Sequence, residues 1–348
     1  MAVIDSISLA SKFRGCLVGC LLGDCLGAPY EGDYGISKSV LQKYFEKLEG
    51  PYFKSPVKQY TDDAAMTKCL AESLIAQEKF DALDIAKRFV KEYFNNPRHG
   101  YGQQVVDIFH KLRAQKFEDP FGPAKEQFDG SGSYGNGGAM RVSPLALFCY
   151  SNYEELVNLV RRSAELTHTH KQGYDGTILQ AIAVHQSLHL DPKETLDVHN
   201  FSTQLIQKMS QIEKDCEGLG LDDPYPYQTQ LKKMQVLLDK KEDTHDAEVE
   251  KTLGTSVAAL YSVPTAIFCF LRACTPIPEI DTDNPFRRTV QYAISLGGDT
   301  DTIASMAGAI AGAYYGYGIV SENLQKHCEA TEQFIEYADK LYKITASK

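Results

Sequence analysis

The chain has 348 residues, 43% of them hydrophobic, with a formal net charge of −10 and a pI near 5.4. An acidic balance of this kind gives no long-range attraction for nucleic acid or an anionic bilayer, so phosphate-backbone and membrane-surface binding are disfavoured. The length allows one large domain or two ordinary ones.

The N-terminal "MAVIDSISLASKFRG" has no basic stretch followed by an apolar one, so no secretory signal is expected, and Asp5 and the scarcity of arginine argue against a mitochondrial presequence. The first predicted helix, "FRGCLVGCLLGDCLGA", carries Gly15, Gly19, Gly23 and Gly27 at i, i+4 spacing. Each glycine costs a helix roughly 1 kcal/mol against alanine. A stripe of four therefore predicts another backbone in close approach. Pro29 ends this helix, and the next is expected at "TDDAAMTKCLAESLIA", after a loop over 54–60. "DALDIAKRFVKEYF" is amphipathic, with Ile85, Phe89, Val90 and Phe94 on one side, and "GQQVVDIFHKLRA" repeats the pattern. A Gly-rich loop, "DGSGSYGNGG", leads into "AMRVSPLALFCY".

Helices follow over 153–166, 176–190 and 201–211. The polar segment 213–251 is expected to be a surface excursion, with an exposed helix at "QLKKMQVLLDKKED". Apolar helices resume at "GTSVAALYSVPTAIFCFLR". A second striped run, "ASMAGAIAGAYYG", has Gly308, Gly312 and Gly316 at i, i+4 spacing. It is too short and too rich in Gly and Ala to span a membrane. The two striped helices are expected deep in the fold and against each other. With no strand alternation, βαβ rhythm or repeat, the predicted fold is all-α, one compact domain over 1–348.

Of nine cysteines, Cys16, Cys20, Cys25, Cys69, Cys149 and Cys269 lie in apolar helical surroundings, and no CxxC pair occurs. Reduced thiols are expected, and a zinc ribbon is disfavoured.

Three acidic loci carry the chemistry: Glu31 after the first striped helix; Thr61, Asp62 and Asp63 in "YTDDAAM"; and Asp299, Asp301 and Thr302 in "GGDTDTIA". One Asp at a helix start is an ordinary N-cap. Two at each of two starts exceed what capping needs. If the starts meet, their charges require a cation, and oxygen ligands without Cys or His select a hard one. An EF-hand is excluded: counted from Asp299, the sixth position is Ala304 and the twelfth Ile310. The Gly-rich loop formally contains GxGxxG at Gly130, Gly132 and Gly135, without the preceding strand a dinucleotide fold requires. Its amides could still cradle a diphosphate. His168 precedes a glycine-containing loop within reach of a ligand, whereas His185 and His189, in "HQSLH", lack the Glu of HExxH and read as ordinary helix histidines. Neither a Gly-x-Ser-x-Gly elbow nor a supported Cys–His pair is present.

Together "LLGDCLGAPYE", "YTDDAAM", "GSYGNGGAMRV", "AELTH", "SVPTAIFCFLR" and "SLGGDTDTIASMAGAIAGAYYG" resemble the ADP-ribosylglycohydrolase superfamily, which includes dinitrogenase-reductase-activating glycohydrolase. Within it the chain resembles the third type of vertebrate ADP-ribosylhydrolase, the serine-ADP-ribose hydrolases. The matching motifs run over 15–316. The resemblance implies an orthogonal helical bundle around two Mg²⁺ ions. Thr61, Asp62, Asp63 and Asp301 would hold one ion, and Asp299, Asp301, Thr302 and Glu31 the other, with Asp301 bridging and Glu31 on a mobile flap. Gly132, Ser133, Tyr134, Gly135 and Asn136 would hold the diphosphate and adenosine, Phe128 and Tyr134 would flank adenine, and His168 would approach the ligand. Asp299 or Glu31 would be the catalytic base.

The implied activity is hydrolysis of ADP-ribose O-linked to protein serine, of poly(ADP-ribose) and of O-acetyl-ADP-ribose. It would reverse ADP-ribosylation in the DNA damage response. A monomer would do this without binding DNA or membrane, in the cytoplasm, nucleus and mitochondrial matrix. The competing expectations are hydrolysis of arginine-linked ADP-ribose, or a non-catalytic ADP-ribose binder or crystallin-like protein. The complete set Glu31, Asp62, Asp63, Asp299 and Asp301 favours a hydrolase.

Overall fold

The structure is a computed structural model that describes residues 6–50, 57–216 and 223–347. The first half of the expected 54–60 loop, and residues 217–222 of the polar segment, lie outside the described residues.

Two helices organise the rest. α1 (Ser6–Gly27) meets a late helix, Thr300–Tyr315, backbone to backbone, as the two glycine stripes predict. A Cβ placed on Gly19 would lie 2.2 Å from Gly308 O, one on Gly23 2.1 Å from Ala304 O, and one on Gly312 1.9 Å from Gly15 O. The register is antiparallel, since rising numbers on α1 meet falling numbers on its partner. The C-terminal end of α1 therefore lies against the N-terminal end of the late helix. There the Thr300 hydroxyl donates to Gly27 O at 2.9 Å. This register delivers Glu31 to Asp299 and Asp301.

Around this pair, chain order runs α2 (Lys38–Glu49), α3 (Asp62–Gln77), α4 (Ala82–Asn95), α5 (Gln103–Ala114), the short α6 (Gly122–Lys125), α7 (Ser143–Phe148) and α8 (Tyr153–Glu165). The second half holds α9 (Lys171–Leu188), α10 (Val198–Ile212), α11 (Pro226–Asp239), α12 (Asp246–Leu253), α13 (Ala259–Arg272), α14 (Pro285–Ser295), α15 (Thr300–Tyr315), α16 (Glu322–Lys326) and α17 (Thr331–Ala346). The described residues form no strand, only isolated bridges such as Gly135 with Ala258. The fold class is all-α, as expected. Cys16, Cys20, Cys25, Cys69, Cys149 and Cys269 are buried free thiols.

Three expectations are corrected. α2 is a helix that sequence reading passed over: only Leu41, Phe45 and Leu48 are buried, a thin apolar stripe in a charged dodecamer. α9 starts at Lys171 rather than Gly176, because the His170 ring accepts the Gln172 amide and caps it. The helix inside 213–251 is not an exposed excursion. α11 buries Tyr227, Leu231, Met234 and Leu237, one face at helical spacing, hidden in the sequence by the lysines of the opposite face. Glu213 is fully buried and accepts the Tyr227 amide at 2.7 Å and the Gln228 amide at 3.2 Å.

Candidate active site

The acidic end begins with a residue on α1. Asp24 is fully buried, and its carboxylate accepts the Thr61 amide at 3.0 and 3.1 Å and the Ala64 amide at 3.0 Å. A helix start leaves such amides without intrahelical partners, so Asp24 caps α3 from another helix. Thr61 is the N-cap itself and accepts from the Asp63 amide at 3.3 Å, while the Asp62 amide donates to His99 O at 2.7 Å. The turn bearing Asp62 and Asp63 is thus fixed on three sides.

The second acidic turn meets it. Glu31, Asp299 and Asp301 each offer an oxygen within 4.8 Å of the other two. The Thr302 hydroxyl donates to Asp63 Oδ1 at 3.2 Å, joining the starts of α3 and α15. Asp63 Oδ2 is buried with no hydrogen-bond partner. Glu31, Asp62, Asp63, Asp299, Asp301 and Thr302 line one cavity of about 360 Å³, with Asp62 and Asp63 outside the three-carboxylate contact.

Burial raises each of these carboxyls above the usual range. Repulsion from Asp24 and the other acids adds to this, taking Asp62 to about 8 and Asp301 to about 9, with Asp63 well above the range. Glu31 is raised by burial and then by Asp299. Asp299 is raised by burial, opposed by its bond from Asn136. Two ionised groups at about 4.8 Å repel by roughly 3–4 kcal/mol at an effective dielectric near 20. An all-oxygen donor set with one orphaned buried oxygen fits a hard divalent cation.

The flap carrying Glu31 is hydrogen-bonded in both directions: Gly32 N donates to Gly298 O at 2.8 Å, and Gly298 N to Asp33 O at 2.8 Å. Gly298 has φ +75°, and a Cβ there would lie 2.3 Å from Thr255 O. The glycine pair ahead of Asp299 thus serves a backbone crossing between the flap and the Thr255 segment, whose carbonyl accepts the Asp299 amide at 2.9 Å.

Beside the acids lies the Gly-rich loop. Phe128 and Asp129 adopt left-handed backbone, φ 50° and 55°, a strain that concentrates at ligand sites. Gly132 follows at φ +75°, where a Cβ would lie 2.2 Å from Thr169 Oγ1. The Phe128 and Tyr134 rings line the cavity yet remain 48% and 52% exposed, a pair of apolar faces open to a planar ligand. Ser133, Gly135, Asn136 and His168 also line it, whereas Gly132 and Thr61 do not. Asn136 Nδ2 donates to Asp299 Oδ2 at 2.5 Å and to Ser262 Oγ at 3.0 Å, so its amide faces the acidic cluster rather than the loop. His168 is held neutral, lowered to about 3 by burial and by Arg141. His185 and His189 instead bond Tyr150 O and His185 O within and beside α9.

The sequence profile of the ADP-ribosylglycohydrolase family matches residues 5–348. The chain belongs to the ADP-ribosylglycohydrolase family. It is 45% identical over 347 residues to ADP-ribosylhydrolase ARH3 of Homo sapiens, covering 96% of this chain and 93% of that protein. It is 43% identical over 359 residues to ADP-ribosylhydrolase ARH3 of Gallus gallus, covering 99% and 96%. A solved structure titled ADP-ribosylglycohydrolase-related protein complex shares the fold, with TM-score 0.65, 22% identity, and coverage of 97% of this chain and 99% of that one.

Sequence reasoning about this ADP-ribosylglycohydrolase missed Asp24, Ser262 and Arg141. For Asp24 a signal existed: it is the one charge in the glycine-striped, apolar run 15–27, and such a charge has to be buried and paired. Asp24→Ala is expected to cost about 2 kcal/mol, because it orphans two buried amides. It should also remove catalysis by releasing the turn of Asp62 and Asp63. Thermal unfolding and turnover measured together check this; wild-type values for both would contradict it.

Proposed function

We propose that the chain is a Mg²⁺-dependent hydrolase that releases ADP-ribose from protein serine, and that also acts on poly(ADP-ribose) and O-acetyl-ADP-ribose. The observation that carries this reading is the junction of two half-sites in one cavity. An oxygen-only acidic cluster abuts a Gly-rich loop flanked by two open aromatic faces, and Asn136 bonds across the seam to Asp299. The relatives named ADP-ribosylhydrolase ARH3, at 43–45% identity, support the substrate.

Thr61, Asp62, Asp63 and Asp301 would hold one ion, and Glu31, Asp299, Asp301 and Thr302 a second. Bound there, such ions supply Lewis-acid charge to ribose hydroxyls and lower the pKa of water. The protein supplies the rest. Phe128 and Tyr134 flank the adenine, and the loop receives the diphosphate at Ser133 and Tyr134, since the Gly132, Gly135 and Asn136 amides already donate to Gln127 O, Ser133 Oγ and Val257 O. This leaves the distal ribose over the acids, where water, giving its proton to the base, would bond to the anomeric carbon as the bond to serine oxygen breaks with oxocarbenium character and the serine leaves as its hydroxyl. Glu31 is the better placed base: it is the exposed member of its cluster, whereas an Asp299 oxygen already takes the Asn136 amide. The enzyme would work as a monomer in the cytoplasm, nucleus and mitochondrial matrix, reversing ADP-ribosylation after DNA damage.

Equal amounts of a serine-linked and an arginine-linked ADP-ribosyl peptide, offered side by side, test the linkage. Release from the serine peptide alone is expected. Release from the arginine peptide alone would replace this reading, and binding of ADP-ribose with release from neither would make the chain a binder.

A further inference from the structure

Among the described residues lining the cavity, Arg141 is the one Lys or Arg side chain and His168 the one imidazole. A diphosphate there has few cationic partners, so how these two groups are used matters. Arg141 is fully buried, with its guanidinium 5.0 Å from the Phe89 ring centre. Among the described residues no carboxylate forms an ion pair with it, and Asp62 acts on it through space alone. Its Nη1 donates to Gly137 O at 2.6 Å, and its Nη2 to Ser163 O at 2.9 Å and to Thr167 Oγ1 at 2.8 Å. Nη2 is thus committed to the protein, whereas Nη1 makes one bond and the buried Nε has no hydrogen-bond partner. Arg141 lines the cavity and also bears on it through Thr167.

Thr167 is 2% exposed, and its hydroxyl touches two groups, Arg141 Nη2 and His168 Nδ1, the latter at 2.7 Å. A guanidinium has donors and no acceptor, so toward Arg141 the hydroxyl oxygen must accept. The hydroxyl hydrogen is then left with a single acceptor, His168 Nδ1. In the opposite arrangement Nδ1 would carry the proton and donate, leaving a buried hydroxyl hydrogen orphaned at a cost of about 1–3 kcal/mol. The second ring nitrogen, Nε2, lies under the Gly-rich loop: a Cβ on Gly135 would be 3.2 Å from it and a Cβ on Gly137 3.0 Å.

We propose that Arg141 and Thr167 are positioning residues that lock His168 in the tautomer protonated on Nε2. The imidazole then presents a neutral N–H donor beside the loop amides, directed at the diphosphate of an ADP-ribosyl ligand. The device suits this site. A protonated imidazole next to Arg141 would add unfavourable charge, and the other tautomer would turn a lone pair toward the phosphate oxygens. The ligand in this statement rests on the function proposed above; the tautomer does not.

Protein labelled with ¹⁵N-histidine reports the tautomer directly, through long-range proton–nitrogen correlation of the ring in the ligand-free enzyme. The expected result is a proton on Nε2 and a bare Nδ1 in wild type. Thr167→Val, nearly isosteric and without the hydroxyl, should give a tautomer mixture and weaken ADP-ribose binding about tenfold by calorimetry. Thr167→Ser, which keeps the hydroxyl, should retain the wild-type tautomer and bind within about twofold of wild type. A proton on Nδ1 in wild type would overturn the relay. So would Thr167→Val that keeps both the Nε2 tautomer and wild-type affinity. The Nε2 tautomer in a wild-type protein that binds no ADP-ribose would uphold the relay and overturn the ligand.

Discussion

Replacing Asp62 and Asp63 together by asparagine is expected to lower turnover by at least about 10³-fold while leaving the metal-free protein as stable as wild type or more so. The two outcomes have one cause. Both carboxyls are raised by burial and by neighbouring acids, Asp62 to about 8. In the unfolded chain an aspartate titrates near 3.9. Between those values the folded state binds more protons than the unfolded state, so stability falls as pH rises through that window. Asparagine keeps the shape and removes the titration. The stability difference between variant and wild type should therefore be absent near pH 4 and largest at pH 8 and above. Adding Mg²⁺ should stabilise the wild type and not the double variant, because a cation that binds only the folded state adds to its stability. Thermal unfolding across pH, with EDTA and with Mg²⁺, reads all of this. A double variant that hydrolyses normally would remove these residues from the site, and one destabilised equally at every pH would show a purely structural role.

The second large effect lies in the helix pair, at a residue outside the cavity lining. Gly19→Ala should destabilise the fold by about 3 kcal/mol or more and lower Tm by roughly 4 °C or more. Helix propensity alone predicts the opposite, a gain of about 1 kcal/mol. Packing decides the sign, because the new methyl would sit 2.2 Å from Gly308 O, in backbone that has no rotamer to move. The same shift would draw the start of α15 away from α1, so apparent Mg²⁺ affinity should fall with stability. Gly318→Ala, with nothing within 4 Å of its Cβ, is the control and should stay within about 0.5 kcal/mol of wild type. A neutral Gly19→Ala would mean that the two helices do not meet through their backbones.

These two regions were the most legible in the sequence, for opposite reasons. Glycine repeated every fourth residue in a helix is so unfavourable that it announces its partner. Paired aspartates at two helix starts likewise exceed what capping explains. Asp24 was harder to find because its role is relational: a buried carboxylate on α1 satisfies amides of α3 that lie 37 and 40 residues away. Ser262 and Arg141 are silent for the same reason, since neither stands in an unusual local pattern. α2 and α11 were misjudged because each buries one narrow apolar face, and composition weighs the charged face as heavily. Gly297 and Gly298 form a turn that other backbone approaches closely. What it approaches, the flap carbonyl of Asp33 and the Thr255 carbonyl, is a tertiary fact with no local signature.

The acidic cluster and the Gly-rich loop are held to form one catalytic centre that needs its hard cations to act. Free ADP-ribose released from a serine-ADP-ribosylated peptide, measured with Mg²⁺ and with excess EDTA, tests that claim most directly. Rapid release with Mg²⁺ and none in EDTA is the expected result, and release that continues undiminished in EDTA would contradict it.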